Sequence, residues 1–244
     1  MSMERKIRLY CFPSAGGTAQ IYHSWFKYAD AAIELVPIEF SGRGRRFPQP
    51  LFTNIADIVE DVFSIMQPNI DQKPYMIFGH SMGSLIAYEL SKKFMQSGNQ
   101  SPLHVFFSGR SVPNQPTNKK RHHLPDEELK KEIFQFGGTP KELLDDPAFI
   151  RMFLPVIRAD MKAAETYPVE DEITPLPCRI SIFNGKQDHL ITHLEEWKQY
   201  TTKEIEYRFF EGGHFYIHEN AKEVVDIVNQ KALEYVRQMR RELC

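Results

Sequence analysis

Apolar and polar positions along this chain follow two rhythms. Dense apolar runs at Ile7 to Phe12, Tyr75 to Phe78, Leu103 to Ser108 and Arg179 to Phe183 read as buried strands, and Glu34 to Ile38 and Glu206 to Phe210 are strand-like. Between them, apolar positions recur at helical spacing. That spacing predicts helices over Ala19 to Ala32, Ile55 to Met66, Met82 to Gln96, Ala221 to Arg240 and near Glu195 to Tyr200. Asn54 or Thr53 can cap the second of these, and Gly98 can end the third. Strands alternating with helices predict an α/β fold, a mostly parallel central sheet with helices on both faces.

One stretch breaks the rhythm. Some seventy residues, 109–178, separate the strand ending at Ser108 from the one starting at Arg179. A parallel crossover needs far fewer. Helical patterns fall at Asp126 to Phe136, Pro140 to Leu144 and Pro147 to Tyr167, punctuated by Pro113, Pro116, Pro125, Gly137 and Gly138. The expected organisation is therefore one domain over residues 1–244, with a helical lid insertion at about 112–170. Such an insertion would cover the carboxyl ends of the strands, where open α/β sheets bind ligands.

Composition narrows the class. The 244 residues are 42% hydrophobic and 25% charged, with a formal net charge of -2. No strong field favours nucleic acid or an anionic membrane, and no apolar run approaches the ~18 residues of a membrane-spanning helix. The N-terminal residues lack the apolar core of a signal peptide. Cys11, Cys178 and Cys244 lie far apart without C-x-x-C spacing, so neither a disulfide framework nor a zinc site is expected. The cytoplasm is the expected compartment. No cofactor is expected, and a monomer is.

The chemistry centres on G-H-S-M-G at 79–83. A serine hydroxyl needs a base to take its proton and exposure at the mouth of a site. Here a strand precedes Ser81 and a helix follows, so Ser81 would sit on a tight turn between them, with Gly79 and Gly83 allowing close approach. The base should follow the last strand, and His214 in E-G-G-H-F fits. His218 is a rival without the paired glycines. The two histidines form an i, i+4 pair, but no third metal ligand lies nearby. The acid should follow the preceding strand, and Asp188 ends F-N-G-K-Q-D. Glu195 and Glu196 look like exposed helix residues. An oxyanion hole needs two amide donors. Met82, directly after the serine, supplies one. Ala15 in the loop F-P-S-A-G-G at 12–17 is the choice for the second, with its neighbour Ser14 the alternative.

Seven motifs then carry a resemblance. They are C-F-P-S-A-G-G at 11–17, S-G-R-G-R-R at 41–46, F-G-H-S-M-G at 78–83, L-P-D-E-E-L at 124–129, G-G-T-P at 137–140, F-N-G-K-Q-D at 183–188 and G-G-H-F at 212–215. In this order the chain resembles the stand-alone type II thioesterases of non-ribosomal peptide and polyketide biosynthesis, of the α/β-hydrolase superfamily. The resemblance puts Ser81, Asp188 and His214 on the family's triad positions and Met82 and Ala15 on its oxyanion positions. It implies hydrolysis of acyl thioesters on the 4′-phosphopantetheine arm of carrier domains, clearing misprimed or stalled synthases. Ser41 departs from the family, which usually has proline there. Arg43, Arg45 and Arg46 form either a solvated loop or one that organises the pocket. Carrier domains are acidic, so 119–123 (K-K-R-H-H) and Lys130-Lys131 are candidate docking cations, or else a solvated helix entry. Phe134, Phe136, Phe149, Met152, Phe153 and Met161 either pack the lid or line an acyl channel.

Two other readings use the same catalytic residues. A small-ester carboxylesterase or lipase often carries H-G-G-G in its oxyanion loop, which this chain lacks. A product-releasing thioesterase is usually fused behind a carrier domain. A non-enzymatic binding module would not require the full serine, acid and histidine set.

Overall fold

Residues 6–115 and 119–241 are described by a computed structural model; Pro116 and Cys244 lie outside them. The strands are β1 (Ile7–Phe12), β2 (Ile33–Pro37), β3 (Tyr75–His80), β4 (His104–Ser108), β5 (Arg179–Gly185) and β6 (Ile205–Phe210). They form one sheet in the order β2-β1-β3-β4-β5-β6, with every neighbouring pair parallel. All six residues of β3 are buried, as a central parallel strand covered on both faces requires.

Side-chain alternation divides the core in two. Tyr10, Phe12, Tyr75, Ile77, Val105, Phe107, Ile180 and Ile182 face one way, toward α1 (Ile55–Met66) and α2 (Met82–Gln96). Leu9, Cys11, Met76, Phe78, Phe106 and Phe183 face the other, toward α6 (Tyr216–Glu219), α7 (Ala221–Arg241) and Trp25. The period of two along each strand thus gives each layer its own helices.

Some elements differ from the sequence expectation. The first helix is a 3-10 segment, Ala19–Lys27, and ends five residues early. The Asp30 carboxylate takes the Ala32 N–H, and Asn229 of α7 takes the Asp30 N–H, turning the chain into β2. The segment near Glu195 is likewise 3-10, Leu194–Tyr200, with Trp197 stacked on Phe107 at 4.2 Å between ring centroids. Of the two cap candidates for α1, Asn54 accepts the Asp57 N–H.

The β4–β5 connection contains α3 (Asp126–Phe136), α4 (Lys141–Leu144) and α5 (Pro147–Glu165). Gly137 ends α3 at φ +81, a left-handed conformation that favours glycine. Asp146 caps α5 by accepting from Ala148 and Phe149, and Pro147 occupies its first turn. Leu129, Ile133, Leu144, Leu154, Ile157 and Met161 give this connection a small core of its own. It lies over the carboxyl ends of the strands.

Candidate active site

Strand order reverses direction between β1 and β3, so the loops after these two strands lie side by side. Ser81 occupies the turn from β3 into α2 with φ +55 and ψ −115, strained for a residue with a Cβ. The turn is braced on every side. The Ser81 N–H donates to Ser108 O at 2.7 Å, and Ser84 Oγ bridges Gly79 O and Ser108 O. Both flanking glycines are steric necessities. A Cβ on Gly79 would meet Gly83 O at 2.2 Å, and one on Gly83 would meet Phe12 O at 2.2 Å.

The structure brings three of the expected residues together. His214 Nε2 lies 3.0 Å from Ser81 Oγ, and His214 Nδ1 lies 2.7 Å from Asp188 Oδ2. A carboxylate only accepts, so Nδ1 carries the proton and Nε2 is left to accept from the serine. The Asp188 side chain is 1% exposed and that of His214 10%. Asp188 is fixed through its other oxygen, which accepts the Leu190 N–H at 3.1 Å. His218 lies stacked on Phe215, and burial holds its imidazole below the usual range. His189, His193, Glu195 and Glu196 are exposed.

Two backbone amides beside the cavity that Ser81 lines lack acceptors among the described residues. The Met82 N–H opens α2 and has no intrahelical acceptor, and the helix N-terminus adds partial positive charge. In the loop after β1, the Gly17 N–H donates to Ser14 O and the Gly16 N–H to Asp160 Oδ2. The Ala15 N–H donates to no acceptor among the described residues. Ser14, Ala15, Ser81, Met82 and His214 all line one cavity of about 600 Å³.

That cavity is mostly apolar, of a size suited to a small-molecule group. Its walls include Phe136, Phe149, Phe153 and Met161 from the β4–β5 connection. Phe134 and Met152 point outward, 52% and 60% exposed. The G-G-T-P motif has a packing reason: a Cβ on Gly138 would enter the Phe215 ring at 2.3 Å. The connection therefore closes directly on the residue after His214.

Several participants are not evident from sequence. His80 is fully buried beside His214, with ring centroids 5.3 Å apart, and bonds through Nδ1 to Ser108 Oγ, which meets Tyr216 Oη at 2.6 Å. Burial, together with the neighbouring His214 and His218, drives the His80 pKa well below the usual imidazole range, so it adds no charge behind His214. Arg110 lines the cavity with its Nε unpartnered among the described residues, and burial lowers its guanidinium to about 10. Gln115 Oε1, on the same wall, is buried and likewise has no partner among the described residues.

In each of the two basic segments some residues are tied to acidic partners, while Arg45, Lys119, Lys120 and His123 are exposed. Arg43 is 5% exposed and pairs through both terminal nitrogens with Asp160 of α5 at 2.5 and 2.7 Å. Arg46 pairs the same way with Asp61. Arg121 pairs with Glu132 and Glu165, and His122 with Glu165, so the middle of the 119–123 segment is tied internally. Lys119, Arg121 and Glu165 reach the cavity wall.

Comparisons with known proteins give the relatives of this chain. A family model described as "Thioesterase domain" matches residues 7–232. Gramicidin S biosynthesis protein GrsT of Aneurinibacillus migulanus is 36% identical over 226 residues, covering 91% of this chain and 88% of that one. A protein named linear gramicidin dehydrogenase LgrE, of Brevibacillus parabrevis, is 33% identical over 242 residues, covering 97% and 91%. The crystal structure of ClbQ from the colibactin NRPS/PKS pathway superposes with a TM-score of 0.89 at 32% identity, covering 96% and 99%.

Proposed function

Because this chain belongs to the thioesterase domain family, we propose that it hydrolyses acyl thioesters held on the phosphopantetheine arm of carrier domains in a peptide or polyketide synthase. Ser81 is the nucleophile, His214 the general base and Asp188 the acid that orients it. Met82 and Ala15 supply the oxyanion amides. One observation carries the reading: the 3.0 and 2.7 Å serine–histidine–aspartate relay opens, beside two amides unpartnered among the described residues, into a mostly apolar cavity.

The steps follow from that geometry. His214 Nε2 takes the Ser81 proton as Oγ attacks the thioester carbonyl, and the carbonyl oxygen becomes an oxyanion held by the two amides. Collapse expels the arm's sulfur, which receives the proton from His214. A water then attacks the acyl-serine, giving its proton to the same Nε2, and the acid leaves with Ser81 restored. Asp188 stabilises the imidazolium in both halves. A thiolate leaves readily, so most of the demand falls on forming the tetrahedral centre. The β4–β5 connection acts as the lid, holding the acyl chain against Phe136, Phe149, Phe153 and Met161.

This role suits the removal of wrong or stalled acyl groups, since an apolar cavity recognises chain bulk more than detail. The test is a panel of acylated carrier domains against p-nitrophenyl esters of equal chain length. Higher kcat/KM on the carriers, spread evenly over acyl groups, is expected. Equal or better turnover of the simple esters would favour a carboxylesterase, and a sharp preference for one long intermediate would favour product release.

A further inference from the structure

Asp160 has no exposed surface, yet it sits on α5 among Val156, Ile157, Ala159 and Met161. A carboxylate is not buried in such company without partners. It has two, and both lead to the oxyanion loop. Asp160 Oδ2 accepts the Gly16 N–H at 2.7 Å, and Arg43 clasps both carboxylate oxygens. Arg43 Nη1 also donates to Gly17 O at 3.3 Å, and the guanidinium lies over the Phe40 ring at 5.5 Å. The loop is thus pinned at two successive residues, one through its amide and one through its carbonyl.

We propose that Arg43 and Asp160 are positioning residues that couple the oxyanion hole to the lid: the Ala15 amide is aligned only while α5 is docked on the loop. The proposal rests on the oxyanion role given above to Ala15. Committing the Gly16 N–H to Asp160 fixes the Ala15–Gly16 peptide, next to the Ala15 N–H, which has no acceptor among the described residues. Gly16 has φ +72, and a Cβ there would meet Ile157 and Phe153 of α5 at 2.9 and 3.0 Å, so α5 rests directly on it. The Met82 donor, by contrast, belongs to α2 and the sheet. One donor is permanent and the other conditional. The charges require both partners. A lone carboxylate beside the hole would oppose a developing oxyanion, and Arg43 cancels it at contact distance. Since α5 also walls the acyl cavity, enclosing the acyl group and completing the hole become one event.

The test replaces the pair by apolar residues, Arg43→Met with Asp160→Leu. Exchanging a buried ion pair for well-packed apolar residues leaves a fold intact or more stable. The double variant should keep its Tm and lose ~30- to 100-fold in kcat, with KM within about threefold, as a misplaced oxyanion donor predicts. Arg43→Lys, which keeps the charge but not the fork, should fall between. Turnover is read on an acylated carrier domain and on a small acyl thioester of N-acetylcysteamine. If only the small thioester is turned over by the wild type, the carrier reading fails while this coupling is still measured. Wild-type kcat in the folded double variant overturns the proposal. So does a uniform loss of folding across the double variant, Arg43→Lys and Asp160→Asn, which would make the pair purely structural.

Discussion

Replacing Gly83 by alanine adds one methyl group where α2 rests on the loop after β1. That methyl would lie 2.2 Å from Phe12 O and 2.8 Å from Pro13 O, about 1.2 Å short of an ordinary 3.4 Å contact with the former. The obstacle is backbone on both sides, so helix and loop must part. Met82 opens that helix and Ala15 lies three residues past Phe12, so the displacement separates the two proposed oxyanion donors. A misplacement of about 1 Å costs ~100-fold in rate. Stability should change far less. Overpacking costs about 1–3 kcal/mol, and alanine returns about 1 kcal/mol over glycine within a helix. The net loss, near 1 kcal/mol, lowers Tm by about 2–4 °C in a chain of this size. The assay is kcat and KM on an acyl thioester beside a thermal melt. A Gly83→Ala enzyme with kcat within twofold of wild type would refute the steric account of the turn.

Three further outcomes are expected. Asp188→Asn should lower kcat by ~10⁴-fold with little change in KM, because His214 loses the partner that sets its tautomer; steady-state kinetics checks this. His104 is buried between Ser181 and Tyr235, and burial lowers its pKa from 6.5 to about 3. It is neutral when folded, while the unfolded chain gains a proton below pH 6.5, so the fold loses about 1.4 kcal/mol per pH unit from this group between 6.5 and 3. Urea denaturation at pH 7, 6 and 5 should show a shallower decline for His104→Gln, and an unchanged slope would count against this. Arg110→Met, which removes from the cavity wall a guanidinium whose Nε has no partner among the described residues, should raise kcat/KM for plain alkanoyl thioesters by roughly threefold or more and lower it for acyl groups bearing polar oxygens. Competition between the two substrate types measures the shift.

The sheet was legible because its central strands are short and apolar and its strands alternate with helical segments. The nucleophile turn was legible for the same reason, since Gly79, Ser81 and Gly83 act within five residues. Asp188 and His214 could be placed because each follows a strand whose order is set by the chain. The 3-10 form of Ala19–Lys27 was not, because its end is decided by Asn229, some two hundred residues away in sequence. Asp160 is the clearest omission. Its partner Gly16 lies 144 residues away, and nothing local marks the contact. An acid set between Ala159 and Met161 on α5 was the only trace. Arg43 could be read either as solvated or as organising the pocket, and only burial against Asp160 decides for the latter.

The division of labour between sheet and connection bears on how such a catalyst can diversify. The reacting groups stand on strand ends, while much of the acyl cavity is walled by the stretch between β4 and β5. New substrate ranges could arise by exchanging that stretch wholesale, without disturbing the residues that do the chemistry. The exchange is not unconditional. A transplanted segment must bring a carboxylate to the place of Asp160 and a small residue opposite Phe215, or it will arrive with a fitting pocket and a silent serine. Compatibility between recipient and graft therefore reduces to a few contacts, which a chimera series could score one by one.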